Sequence, residues 1–136
     1  MKDQNILKNY THFVDTLTSD ESTKFESYIA RLTQLNEQGC DIARLDTASQ
    51  GMSAEAGEFE EVVKKIKYQG KEYNEDNIFH MQRELGDIIF YWINACMALD
   101  IDPIKVIEMN VEKLESRYPS GSFDVHFSEN RKDGDV

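Results

Sequence analysis

Two pairs of carboxylates carry the chemistry open to this sequence: Glu55-x-x-Glu58 and Glu84-x-x-Asp87. Residues three apart on a helix are neighbours, and like charges placed there repel. Four converging carboxylates are tolerable only around a cation. A donor set of carboxylate oxygens, without His or Cys, suits Mg²⁺ or Mn²⁺ rather than zinc. Mg²⁺ held in this way keeps coordination positions that substrate phosphates complete. An ExxE pair in an acidic protein is commonly solvated surface, so the weight falls on where these pairs sit in their elements.

Those elements are helices. No strand-like alternation persists, while helical periodicity recurs in four segments. They run from about 22 to 38, 41 to 68, 74 or 76 to 99, and 103 to 118. Gly39 can close the first, Gln69-Gly70-Lys71 ends the second, and Asp102-Pro103 reads as an N-cap with Pro at the first helical position of the fourth. The first 18 or so residues are ambiguous, with a short helix expected around 10 to 17. The stretch after Pro119-Ser120-Gly121 reads as an extended polar tail. The expected organisation is an N-terminal extension over 1–20, an all-α catalytic domain of four helices over 21–118, and a C-terminal tail over 119–136.

Projection of the second helix at roughly 100° per residue gathers Leu45, Ala48, Met52, Phe59, Val62, Val63 and Ile66 on one face. Glu55 falls inside that stripe and Glu58 at its edge, whereas Glu60 and Lys64 point away. A carboxylate within an apolar face is costly unless it is paired or metal-bound. The third helix is apolar around most of its axis, from Met81 to Leu99, which implies burial on more than one side and an oligomer interface. Its remaining stripe carries Glu84, Asp87, Tyr91 and Asn94. Gly57 and Gly86 cost helix propensity and are expected where a backbone or ligand comes close. On the fourth helix Asn110, Lys113 and Arg117 share one side. They can reach phosphate oxygens, or simply complement the helix dipole.

The chain has 136 residues, 26 acids against 15 bases, a formal net charge of −11 and 40% hydrophobic residues. That balance supports one packed domain and argues against a disordered acidic tail. It also argues against binding nucleic acid or an anionic membrane by charge. No apolar run reaches the ~18 residues of a membrane span, and MKDQNILKNY has no signal-peptide core. Cys40 and Cys96 show no metal or activating pattern, so a reducing cytoplasm with both thiols free is expected. His12, His80 and His126 stand at no ligand spacing, and no P-loop or Rossmann glycine pattern occurs.

The blocks GMSAEAGEFEEVVKKIKYQGK, ELGDIIFYW and NVEKLESRYPSGSF, in that order, resemble the MazG-type nucleoside triphosphate pyrophosphohydrolases of the all-α NTP pyrophosphatase superfamily. The resemblance spans about 43 to 131 and is strongest to stand-alone, phage-encoded members. Its hallmark, ExxE followed by ExxD, is matched by Glu55, Glu58, Glu84 and Asp87, and its Lys and Arg four apart by Lys113 and Arg117. The resemblance implies a four-helix protomer that forms dimers or tetramers, with neighbouring chains completing the active sites. It also implies Mg²⁺-dependent hydrolysis of an NTP or dNTP to the monophosphate and pyrophosphate, in the cytoplasm (the host's, if phage-encoded). The four acids are then the metal ligands, with Glu55 and Glu58 catalytic and Glu58 the base. Lys113 and Arg117 grip phosphates, Asn110 contacts sugar or phosphate, and Tyr91 and Asn94 line a base or sugar pocket or pack between helices. Glu61 is either an extra ligand or solvated. Two rival readings are an acidic helical protein that sequesters a basic partner or mimics DNA, and a purely structural helical oligomer. Both leave acids in apolar stripes unexplained.

Overall fold

The computed structural model describes residues 2–131, with side chains from residue 5 onward. Among them every regular element is helical and there is no strand. The chain divides into two compact units, Met1–Ala43 and Arg44–Val136.

The first unit holds α1 (Lys2–Leu17), α2 (Asp20–Thr23) and α3 (Phe25–Glu37). The N-terminal helix is longer than the stretch of 10 to 17 expected, beginning at Lys2; within it Thr11 and Thr16 turn their hydroxyls back onto the carbonyls four residues earlier. The segment expected as one helix from about 22 is broken at Lys24, which is extended at φ −117°, ψ 121°. Its amide donates to the Asp20 carbonyl and its ammonium pairs with the Asp20 carboxylate at 2.9 Å. The break thus costs little hydrogen bonding. Gly39 closes α3 as expected. At φ +83° it lets its own amide reach Asn36 O and the Cys40 amide reach Leu35 O, capping two carbonyls that the helix leaves unpaired.

The second unit contains α4 (Ile42–Tyr68, whose first two residues precede the division), α5 (Glu75–Ala98), α6 (Pro103–Arg117) and α7 (Val125–Glu129). Three of these begin on side-chain caps. Asn74 accepts from the Asn77 amide at 3.1 Å, Asp102 from Ile104 at 2.9 Å and Asp124 from His126 at 2.8 Å. The last cap produces a short helix within the segment expected to be an extended tail; residues 132–136 of that tail lie outside the described residues.

α4 and α5 run antiparallel. Arg44 contacts the Met97 sulfur at 3.4 Å, Gly51 meets the Tyr91 ring, and Glu55 hydrogen-bonds Glu84, so one index falls as the other rises. A Cβ at position 51 would lie inside the van der Waals surface of Tyr91, so glycine is what permits the approach. At Gly57 and Gly86, where close approach was expected, a Cβ would meet open space among the described residues.

Few side chains are fully buried within one chain. Among the described residues they are Ala48, Val62, Cys96 and one charged group, Glu84. Leu85, Ile89, Phe90 and Met97 on α5 are exposed, as are Ile104, Ile107, Met109, Val111 and Leu114 on α6.

Candidate metal centre

The acids converge where α4 and α5 pack. Glu55, Glu58 and Glu84 each place a carboxylate oxygen so that the three lie within 4.8 Å of one another. Glu84 is buried, Glu55 half-buried and Glu58 exposed, so the cluster runs from the helix interface to solvent. The ExxE spacing aligns Glu55 and Glu58 on one face of α4, and the Gly51–Tyr91 approach brings that face down onto Glu84. Asp87 is exposed, one turn beyond Glu84, and its charge acts on Glu55.

The electrostatics follow from this geometry. The Glu55 carboxyl is pushed above its ordinary value of 4.5, first by desolvation and then by the charges of Glu58, Asp87 and Glu84, with a hydrogen bond to Glu84 adding to the shift. Every named neighbour is an acid.

A divalent cation fits this arrangement. In octahedral Mg²⁺ at ~2.1 Å, ligand oxygens sit roughly 3 Å apart when adjacent and about 4.2 Å apart when opposite. Three carboxylate oxygens within 4.8 Å need only small side-chain adjustments to meet that spacing. Their hard-oxygen chemistry suits Mg²⁺ or Mn²⁺.

Other residues singled out in the sequence are placed as follows. Tyr91 is half-buried with its ring against Gly51, in edge-on contact with Phe90 at 5.2 Å between centroids. Asn94 turns its amide back to the Phe90 carbonyl at 3.0 Å. Asn110 and Lys113 line an open recess of about 630 Å³ at α6, together with Ile101, Asp102, Lys105, Val106 and Met109. None of the four acids lines that recess. Arg117 is half-buried in the last turn of α6. Glu61 forms an exposed ion pair with Lys65 at 3.0 Å, which draws its carboxyl below the ordinary value.

One contact went unread in the sequence. His80 sits one turn before Glu84 on α5, with Nε2 2.9 Å from Glu84 Oε1. The signal was the i, i+4 spacing of a histidine and an acid, visible only once His80 is weighed as a carboxylate partner rather than as a metal ligand.

The family model for the MazG nucleotide pyrophosphohydrolase domain matches residues 46–122. The chain belongs to the MazG nucleotide pyrophosphohydrolase family. The matched segment contains all four acids and also Tyr91, Asn94, Asn110, Lys113 and Arg117, whereas α1, α2 and α3 precede it. The chain is also similar to the Gene 37 protein of Mycobacterium phage L5, 34% identical over 84 residues, which covers 60% of this chain and 74% of that protein. No solved structure matches. Among the described residues of this MazG-family chain, no helix is long and apolar enough to cross a membrane.

Proposed function

We propose that this protein hydrolyses nucleoside triphosphates, NTP or dNTP, to the monophosphate and pyrophosphate, using Mg²⁺ (or Mn²⁺) held by Glu55, Glu58, Glu84 and Asp87. The observation that carries the reading is the trio of carboxylates gathered within 4.8 Å, inside the segment that matches the family. When bound, the cation supplies Lewis acidity toward phosphate oxygens and makes a nearby water easier to deprotonate. Glu58, the exposed member, accepts the proton of the attacking water, with Glu55 beside it. The water oxygen forms a bond to phosphorus as the bridging anhydride bond breaks, and pyrophosphate departs. Lys113 and Arg117 neutralise phosphate oxygens that the cation does not reach. Asn110 contacts sugar or phosphate, and Tyr91 and Asn94 border the nucleoside.

The working form is a homo-oligomer, a dimer or tetramer, in which a neighbouring copy completes each site. Supporting this is the exposed apolar surface of α5 and α6 and the placement of Asn110 and Lys113 in a recess that none of Glu55, Glu58, Glu84 and Asp87 lines. Such exposed surface is what protein–protein contact covers. The catalytic domain comprises residues 21–118, with an N-terminal extension and a C-terminal tail, and works in the cytoplasm on nucleotide rather than on nucleic acid or membrane. A non-catalytic acidic protein that sequesters a basic partner would display its acids outward; the burial of Glu84 speaks against it.

The test is a panel of NTPs and dNTPs with Mg²⁺, assayed for pyrophosphate. Release from at least one nucleotide, lost in Glu55→Gln and Asp87→Asn variants, is expected. No release from any nucleotide, or undiminished release by both variants, overturns the reading.

A further inference from the structure

Glu84 is the one charged side chain that is buried among the described residues, and it sits at the inner end of the carboxylate cluster. A buried carboxylate has to be satisfied, and no buried side-chain nitrogen or oxygen among the described residues lacks a partner. Glu84 meets two partners. One is Glu55, another acid, which hydrogen-bonds Glu84 only while it holds a proton and repels it once charged. The other is His80, with Nε2 2.9 Å from Oε1.

The imidazole differs from the carboxylates in two respects. Its side chain is half exposed, whereas that of Glu84 is only 9% exposed, so it approaches the acid from the solvent side. The set of ligand-capable atoms lying within 4.8 Å of one another comprises Glu55, Glu58 and Glu84 and no imidazole nitrogen. His80 therefore touches the cluster through one carboxylate oxygen and stands outside the group itself. Carboxylates that hold a metal are themselves oriented by outer hydrogen-bond donors.

We propose that His80 is a positioning residue: its Nε2–H donates to Glu84 Oε1, fixing the rotamer of that carboxylate so that its second oxygen faces the divalent cation. This rests on the metal-binding reading given above. The helix supplies the geometry, since residues four apart stack on one face, and the donor is pre-set by α5 rather than recruited by substrate. Without His80 the buried carboxylate keeps only the acids Glu55 and Glu58 beside it and is free to turn from the cation.

The experiment is binding of Mn²⁺ alone to the full-length, nucleotide-free protein, followed by electron paramagnetic resonance. His80→Ala is expected to weaken Mn²⁺ binding by roughly 10- to 100-fold, the range for lost outer partners of metal ligands. His80→Gln, whose amide N–H reaches about as far as Nε2, restores most of that affinity; His80→Asn, too short, does not. In the hydrolysis assay His80→Ala regains rate as Mg²⁺ is raised, with the nucleotide KM at saturating Mg²⁺ unchanged. Should the Ala variant fail to fold, judged by circular dichroism, the Gln and Asn variants carry the comparison alone. Mn²⁺ binding by His80→Ala as tight as wild type, or equal affinities for Gln and Asn, overturns the positioning role while leaving the metal site standing. Absence of Mn²⁺ binding by the wild type overturns the metal site and this role together.

Discussion

Glu55 and Glu61 stand six residues apart on α4, yet their surroundings drive them in opposite directions. Glu61 faces Lys65 one turn on, and that ion pair draws its carboxyl below the ordinary value. Glu55 is partly desolvated, faces Glu58, Glu84 and Asp87, and is pushed up. One helix thus holds a carboxylate paired with a lysine one turn on and another whose pKa is pushed up by burial and by neighbouring acids. The difference marks a site more sharply than the abundance of acids does, because most acids among the described residues are simply exposed, whereas Glu55 is pressed by three other carboxylates.

The largest effect expected from breaking this contrast is on activity. Glu84→Gln keeps the shape and removes the buried carboxylate proposed as a ligand, so kcat/KM for the best nucleotide should fall by roughly 100-fold or more, above the loss typical of an outer partner. Steady-state pyrophosphate release at fixed Mg²⁺ measures it.

Next comes the packing that brings the two acidic faces together. Gly51→Ala drives a methyl into the Tyr91 ring. Overpacking costs about 1–3 kcal/mol, partly offset by the ~1 kcal/mol that Ala gains in helix propensity. A net loss in thermal or denaturant unfolding is expected. Gly57→Ala, where a Cβ meets open space, should instead leave stability unchanged or raise it.

Smaller, and of opposite sign to the activity loss, is the effect of Glu55→Gln on metal-free stability. A carboxyl whose pKa is raised on folding binds its proton more tightly in the folded state, so folding is favoured as pH falls and opposed once pH has risen above both values. The variant should therefore unfold at a higher temperature than wild type at neutral pH without metal. The gap should close as pH falls through the raised folded pKa toward 4.5. Glu61 has the reverse sign: its pairing contributes above 4.5 and is lost as pH falls through the lowered value. Because that pair is exposed, Glu61→Gln should change neither Tm nor activity measurably.

Helix content and the acidic stripe were legible because the 3.6-residue period needs no tertiary knowledge. The stripe placed Glu55 among apolar residues, and its half-burial with Glu84 beside it agrees. Caps at Asp102 and Gly39 were readable for the same local reason. The break at Lys24 was not, since it turns on a single extended residue held by Asp20 within an otherwise helical pattern. The short α7 was hidden because five residues have too few turns to show a period, although Asp124 offered a cap. Which glycine permits helix contact was equally obscure. The sequence drew attention to Gly57 and Gly86; only the α4–α5 register shows that Gly51 is the one a ring covers. His80 was discounted because its role depends on the buried acid beside it and not on other histidines.

The most direct test of the proposed cation site is thermal unfolding at neutral pH with and without Mg²⁺, for wild type and Glu84→Gln in parallel. Mg²⁺ should raise the Tm of the wild type in a concentration-dependent way, since a ligand bound only by the folded state stabilises it, and should raise that of the variant far less. A wild-type Tm indifferent to Mg²⁺, or an equal rise in both proteins, would contradict the assignment of these carboxylates as a cation site.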